Sequence, residues 1–287
     1  MNKINIGWIN GLIGVIIFAG SMPATRLAVA DFSPEFLTGA RATIAAIFGL
    51  ICLIMLKQQL PRPHQYKSLL IVALTVVIGF PLLTAFALQS ISAARSLVFV
   101  ALLPLCTAIF SVLRAGENPS LKFWLFTLLG SSFVIIFMLN NDSTNLISQG
   151  DLYMIAAIIA CGFGYAEGGY LSKTLGGWQV ICWALSLALP FMLIFSLYYI
   201  PHNWGDISYS AYAGLFYVST FSMLIGFFFW YKGLAMGGIA KVGQIQLIQP
   251  FFGLMLCAII LNETVSFNMV LVSIAVIICV ICAKKFA

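Results

Sequence analysis

The sequence predicts an all-α integral membrane protein: ten transmembrane helices, arranged as two inverted five-helix repeats. Three observations predict it. First, 62% of the 287 residues are hydrophobic and 8% are charged, with a mean hydropathy of +1.07. A soluble domain carries about 25% charged residues, so this chain cannot cover a water-facing surface. Second, the apolar residues fall in ten continuous runs, each of about 20 residues, the length that crosses a bilayer as a helix. Continuity excludes a β-barrel, whose strands alternate at period two. Third, the chain matches itself at an offset of 146 residues.

Taken in order, the first run is expected over Gly7–Ala30. It follows one lysine and is too long for a signal peptide, so it reads as a span. Phe36–Leu56 and Leu69–Gln89 are separated by Lys57, Arg62 and Lys67. Ala93–Leu113 and Leu121–Leu139 flank Arg114 and Glu117 and complete a first half, residues 1–140. After a polar loop, Asn140–Gly150, the second half occupies residues 151–287. Its expected spans are Asp151–Ser172, Trp178–Tyr199, Tyr209–Tyr231, Ile239–Leu261 and Ser266–Ala283. So much of the chain lies in the membrane that no nucleotide-binding, soluble catalytic or receptor domain fits.

Charge sets the orientation. With the N-terminus inside, Lys3, Lys57, Arg62, Lys67, Arg114, Lys122, Lys173, Lys232, Lys241, Lys284 and Lys285 face the cytoplasm. Only Arg26, Arg41 and Arg95 lie on the other side, each within or at the end of a span. The outer loops carry Asp31, Glu35, Asp142, Asp151, Asp206 and Glu263 instead. This is the positive-inside pattern, and it places both termini in the cytoplasm of what is expected to be a bacterial inner membrane. The net charge of +6 is therefore a topology signal, not a nucleic-acid surface. Trp8, Trp124, Trp178 and Trp204 sit at span ends as interfacial anchors.

The seven cysteines lie in apolar runs and behave as small apolar side chains. Cys279 and Cys282 form a C-x-x-C without histidine or acidic neighbours, so no metal site is expected. His64 and His202 are in loops, and the sequence has no G-x-S-x-G, H-E-x-x-H or P-loop. An enzyme is not expected, nor a cofactor beyond proton coupling.

Under the 146-residue offset, Ala94-Arg95 falls on Ala240-Lys241, Pro104 on Pro250, Glu117 on Glu263 and Ser120 on Ser266. Span 4 thus corresponds to span 9, and span 5 to span 10. Five is odd, so the second half enters the membrane in the opposite sense. Inverted repeats about an in-plane pseudo-two-fold axis are a transporter architecture, with the ligand near the midplane where the halves meet.

These residues resemble the drug/metabolite transporter superfamily, EamA type. In the first half the resemblance rests on Gly20-Ser-Met-Pro-Ala-Thr-Arg-Leu-Ala28, on Arg41 with Ala45, and on Ala93, Ala94, Arg95, Pro104 and Glu117. In the second it rests on Ala240, Lys241, Pro250, Asn262, Glu263 and Thr264. Phe18-Ala19 stands where family members often carry a tryptophan. The resemblance implies small-metabolite transport, often outward, with amino acids among the substrates. It also implies a cavity lined by spans 1, 3, 4, 6, 8 and 9, with spans 5 and 10 peripheral.

Glu167 is the first candidate for a substrate or proton pathway. A charge at mid-span costs roughly 2.5–3.5 kcal/mol on insertion scales; a carboxylate there can hold an ammonium, carry a proton or form a structural pair. Arg26 follows Pro23, which opens span 1 near Ser21. It can bind a carboxylate, or pair with Glu167 or Glu35. Gln244, Gln246 and Gln249 should face protein or a cavity, because unmet amides are costly in lipid. Their mates in span 4 are Val98, Val100 and Leu103, so one side of the cavity should be polar and the other apolar. That suits an amphipathic solute such as an amino acid. Phe86, Phe99, Tyr165, Tyr217 and Trp230 are candidates to line the path. Pro23, Pro81, Pro104 and Pro250 mark hinges or kinks, and Arg95 and Lys241 are candidate gating charges. Glu117 and Glu263 sit in turns just before spans 5 and 10, where a negative charge favours the N-terminus of the helix that follows. The two G-x-x-x-G pairs, Gly164 with Gly168 and Gly233 with Gly237, allow close helix approach. The expected partners are a small molecule and the bilayer, with the protein a monomer or weak homodimer. A passive facilitator, or an uptake carrier for a vitamin- or nucleoside-like solute, is the alternative.

Overall fold

A computed structural model describes residues 3–140, 148–264 and 266–285. Most of the Asn140–Gly150 loop, with Asp142, lies outside them. The regular structure of the described residues is helical. Among the described residues, eight helices are long and apolar enough to cross a membrane: Asn5–Ala28, Pro34–Met55, Pro63–Ser90, Ala93–Ala115, Gln149–Leu175, Gly177–Tyr198, Tyr209–Gly237 and Ile239–Leu261. They are spans 1 to 4 and 6 to 9. Spans 5 and 10 are Leu121–Asn140 and Phe267–Lys285. These two pack chiefly on each other at the edge of the bundle.

Spans 2, 4, 6 and 8 start in the same way. Ser33, Ser92, Ser148 and Ser208 each accept the N–H three residues on, satisfying a donor that the first helical turn leaves free. Spans 7 and 9 start differently, after Gly176 and Gly238 at φ 100° and 90°.

Several spans are broken or widened part-way along their length. Span 1 is interrupted at Gly20, between Lys3–Ala19 and Ser21–Ala28. Span 4 is interrupted between Ala93–Val100 and Leu103–Ala115. Span 9 passes through a 3-10 stretch, Gln244–Ile248, before Gln249–Leu261. Pro23, Pro104 and Pro250 sit in the first turn after these breaks, where a missing N–H is tolerated. Spans 3 and 8 instead widen into π-helical turns, Ala73–Gly79 and Tyr217–Ile225, and Pro81 follows the first of them. The 146-residue offset lays one π-helical stretch on the other. Wide turns of this kind concentrate at functional sites.

Glycines hold spans 1 and 8 together at both ends. A Cβ on Gly7 would lie 2.7 Å from the Gly237 nitrogen, and one on Gly233 2.7 Å from the Gly11 nitrogen. Near the other end, a Cβ on Gly214 would lie 2.4 Å from the Ala24 carbonyl oxygen. Gly164 and Gly168 give span 6 the same closeness to Thr75 and Val76 of span 3 and to Tyr231 of span 8. These contacts wall a space where the two halves meet.

Candidate functional site: a cavity between the halves and the charges around it

Phe18, Ser21 and Met22 of span 1 line that space, with Arg41 of span 2 and Val76, Phe80 and Pro81 of span 3. Val100 and Leu103 of span 4 continue the wall. Tyr165 of span 6, Ser222, Met223 and Phe227 of span 8, and Gln249 of span 9 close it. The offset pairs Val76 with Ser222, Pro81 with Phe227 and Leu103 with Gln249, so the cavity lies on the pseudo-two-fold axis. Val76 and Leu103 have the polar mates Ser222 and Gln249, but the polar lining is not confined to one half, because spans 1 and 2 add Ser21 and Arg41 from the other. The cavity measures about 20 Å³, enough for one water. In this conformation it is closed around its polar groups.

The breaks free backbone carbonyls, and neighbouring spans use them. The Gln249 amide donates to the Phe18 carbonyl at 3.3 Å, and the Tyr217 hydroxyl donates to the Ile17 carbonyl at 2.7 Å. A Cβ on Gly20 would lie 2.5 Å from that hydroxyl oxygen, so the break and the tyrosine require each other. The Ser21 and Ser222 hydroxyls share a hydrogen bond of 2.7 Å across the cavity.

Arg41 is the residue sequence reasoning missed. It was read for topology and family resemblance, not as a site residue. It lies seven residues into span 2, about 10 Å along the helix from its start, and is 4% exposed. Its guanidinium reaches the Ser222 hydroxyl at 3.5 Å, and its Nε has no partner. The ion pairs found among the described residues, Arg95–Asp151 and Arg114–Glu167, leave it out. The available signal was an arginine inside an apolar run with no acidic residue at helical spacing.

Glu167 is fully buried but does not line the cavity. It accepts two hydrogen bonds from Arg114, one of them 2.7 Å from Nη2 to Oε1. Arg114 was expected in a loop. Span 4 instead runs to Ala115, which puts Arg114 in its last turn and within reach of span 6. Arg26 takes neither carboxylate as its partner; it donates to the Leu88 carbonyl in the last turn of span 3, where a cation is favoured by the helix dipole.

Of the other candidates, Ser21, Tyr165, Gln249 and Pro81 line the cavity. Trp230 stands behind it, its ring 6.2 Å from Phe18 and 5.3 Å from Tyr165. Gln246 is fully buried with both amide atoms unpartnered. Gln244 is also unpartnered and lines a groove of about 310 Å³ with Trp8, Leu12, Ile277 and Ile281. That groove is larger than the cavity, but it opens on the flank of the bundle and carries no charged group. Phe86 packs on Tyr153, and Phe99 is fully buried away from the cavity. Lys241 is exposed beside Glu117.

The carboxylates of Glu117 and Glu263 correct the sequence reading. Neither serves the helix that follows it in the chain. Glu117 accepts from the backbone N–H groups of Ile239 and Ala240 at 2.8 and 2.7 Å, at the start of span 9. Glu263 accepts from Ala93 and Ala94 at 3.0 and 2.8 Å, at the start of span 4. Each half caps the broken helix of the other, and the offset carries one cap onto its counterpart. Arg95, one residue further along span 4, binds Asp151 of span 6 through two hydrogen bonds of 2.9 and 2.7 Å.

A bundle of inverted halves that encloses a small polar site on its own axis is a membrane transporter. A model of the EamA-like transporter family matches residues 5–139 and 148–283, and the chain belongs to that family. It is 56% identical over 289 residues to the Uncharacterized transporter YdeK of Bacillus subtilis (strain 168), covering 100% of both chains. It is 22% identical to the Uncharacterized transporter YoaV of the same organism, over 91% of each chain. Its fold is similar to that of a solved crystal structure, with a TM-score of 0.74 at 16% identity, across 98% of this chain and 99% of that one.

Proposed function

We propose that the protein is a secondary active transporter that exports amino acids or related amphipathic solutes by alternating access. The observation that carries this reading is the cavity on the pseudo-two-fold axis, polar at Ser21, Arg41, Ser222 and Gln249 and otherwise apolar. Two equivalent, inverted halves can exchange conformations and open such a cavity to either side in turn. The breaks beside Pro23, Pro104 and Pro250 supply the places where spans bend. In this reading both termini face the cytoplasm of a bacterial plasma membrane. Proton coupling runs through Glu167, because protonation of its carboxylate releases Arg114.

The test is flux from liposomes loaded with labelled neutral, aromatic and basic amino acids, nucleosides and riboflavin. It compares wild type with Glu167→Gln, with and without an inward proton gradient. Gradient-driven efflux of an amino-acid subset, lost in the variant, is the expected result. Equal, gradient-independent flux in both proteins would instead establish a passive facilitator. That second reading has one observation in its favour: Glu167 is already neutralised by Arg114.

A further inference from the structure

We infer that Arg41 anchors the carboxylate of an amphipathic organic anion, and that the site selects for this group over an ammonium or a neutral head. This rests on the transporter reading and names the substrate class for the same cavity.

Arginine stays protonated in proteins. Arg41 is buried at 4% exposure, with an unpartnered Nε and one long contact to Ser222. A buried cation of this kind is costly unless it is paired and hydrogen-bonded. The described acidic residues are placed elsewhere. Asp31 is bonded to Ser208 in the outer loops. Asp151 and Glu167 hold Arg95 and Arg114. Glu117 and Glu263 cap helices, Glu35 is in the first turn of span 2, and Asp206 is in the turn before span 8. Among the described residues, no carboxylate lines the cavity. The missing counter-charge is thus left for a ligand to bring.

The donors fit a carboxylate. A guanidinium presents a planar fork that matches both carboxylate oxygens. The Ser21 and Ser222 hydroxyls, now bonded to each other, can turn their hydrogens toward a ligand. The Gln249 Oε1 has no partner and can accept an N–H or O–H from the same molecule. No anionic group stands ready to balance an ammonium. Around these polar groups lie the rings of Phe18, Tyr165 and Phe227, with centroids 4.9 Å apart for Phe18–Phe227 and 5.9 Å for Tyr165–Phe227. They form an aromatic wall for the apolar body of the ligand.

The experiment uses the purified full chain and four probes with one phenylalkyl body: 3-phenylpropanoate, L-phenylalanine, phenethylamine and 3-phenylpropan-1-ol. Thermal stabilisation reads binding, and counterflow of labelled 3-phenylpropanoate in liposomes reads transport. We expect 3-phenylpropanoate to stabilise most, phenylalanine less, and the amine and alcohol not at all. Arg41→Gln should abolish the response, and Arg41→Lys should weaken it by about tenfold, because a point charge lacks the fork. Ser222→Ala, which removes one small donor, should weaken it less. Equal responses to acid and alcohol, a response that survives Arg41→Gln in a folded variant, or no response to any probe would overturn the inference. Arg41-dependent binding without counterflow would support the anchor and overturn the export reading. Transport of the amine or alcohol independent of Arg41 would do the reverse.

Discussion

Two arginines meet the membrane interior in opposite ways. Arg114 lies in the last turn of span 4, 38% exposed, and closes on the fully buried Glu167. Arg41 lies deep in span 2, nearly inaccessible, with a serine hydroxyl in place of a counter-ion. The first arrangement is complete without a ligand and ties the end of span 4 to span 6. The second is incomplete as it stands. A neutralised charge inside a membrane protein needs no ligand to complete it; an unneutralised one, facing a cavity between two halves, is the place to look for the transported molecule.

The comparison can be broken by stability measurements, and the largest effect belongs to the completed pair. Arg114→Gln leaves Glu167 buried and uncompensated. It should destabilise by about 3 kcal/mol, the low end for breaking a buried pair, since Arg114 itself is partly solvated. Glu167→Gln should cost less, about 1 kcal/mol, because Arg114 can turn toward solvent. The double variant should recover most of the Arg114→Gln loss, and thermal unfolding in detergent measures all three. Arg41→Gln should leave thermal stability unchanged or raise it, because it removes a charge that the fold does not compensate. If Arg41→Gln unfolds as readily as Arg114→Gln, the two arginines are alike and the comparison fails.

A smaller effect belongs to the loops that carry Asp31 and Ser208. The Ser208 hydroxyl and backbone N–H both donate to Asp31 and lower its pKa below the ordinary carboxylate value. The contact joins the end of span 1 to the start of span 8. Its contribution is present above the ordinary carboxylate range and is lost as pH falls through the depressed pKa. Asp31→Asn should flatten that acid limb by lowering stability slightly at neutral pH and leaving the acid value nearly unchanged. A variant with an unaltered acid limb would place the titration elsewhere.

Much of the fold was legible because it rests on run length and on proline, both of which act locally. Pro23, Pro104 and Pro250 mark interruptions of their spans, and the 146-residue offset identifies equivalent spans from residue order alone. The site was less legible, because it depends on which side chains meet across spans. Glu167 looked central by its position along one helix, yet its partner came from a residue assigned to a loop. Glu117 and Glu263 stand out in the sequence as a matched pair and as charges at helix starts, but for the wrong helices, and not as groups that accept backbone N–H bonds. Sequence proximity favoured the following span, whereas inversion delivers each carboxylate to the opposite half. Arg41 was counted among the outer charges because a charge tally carries no depth.

The exchanged caps have a consequence for how the protein is made. Ala93 waits for an acceptor that lies 170 residues further along the chain, about 10 to 30 seconds of synthesis. Until Glu263 arrives, the start of span 4 stands in the membrane with open N–H groups, and span 1 has no span 8 to close against. The first half therefore leaves the ribosome as an unfinished object. It needs lipid, water or an insertion factor to shelter it, and a chain stopped between the halves should go to proteolysis instead of lingering as a five-helix remnant.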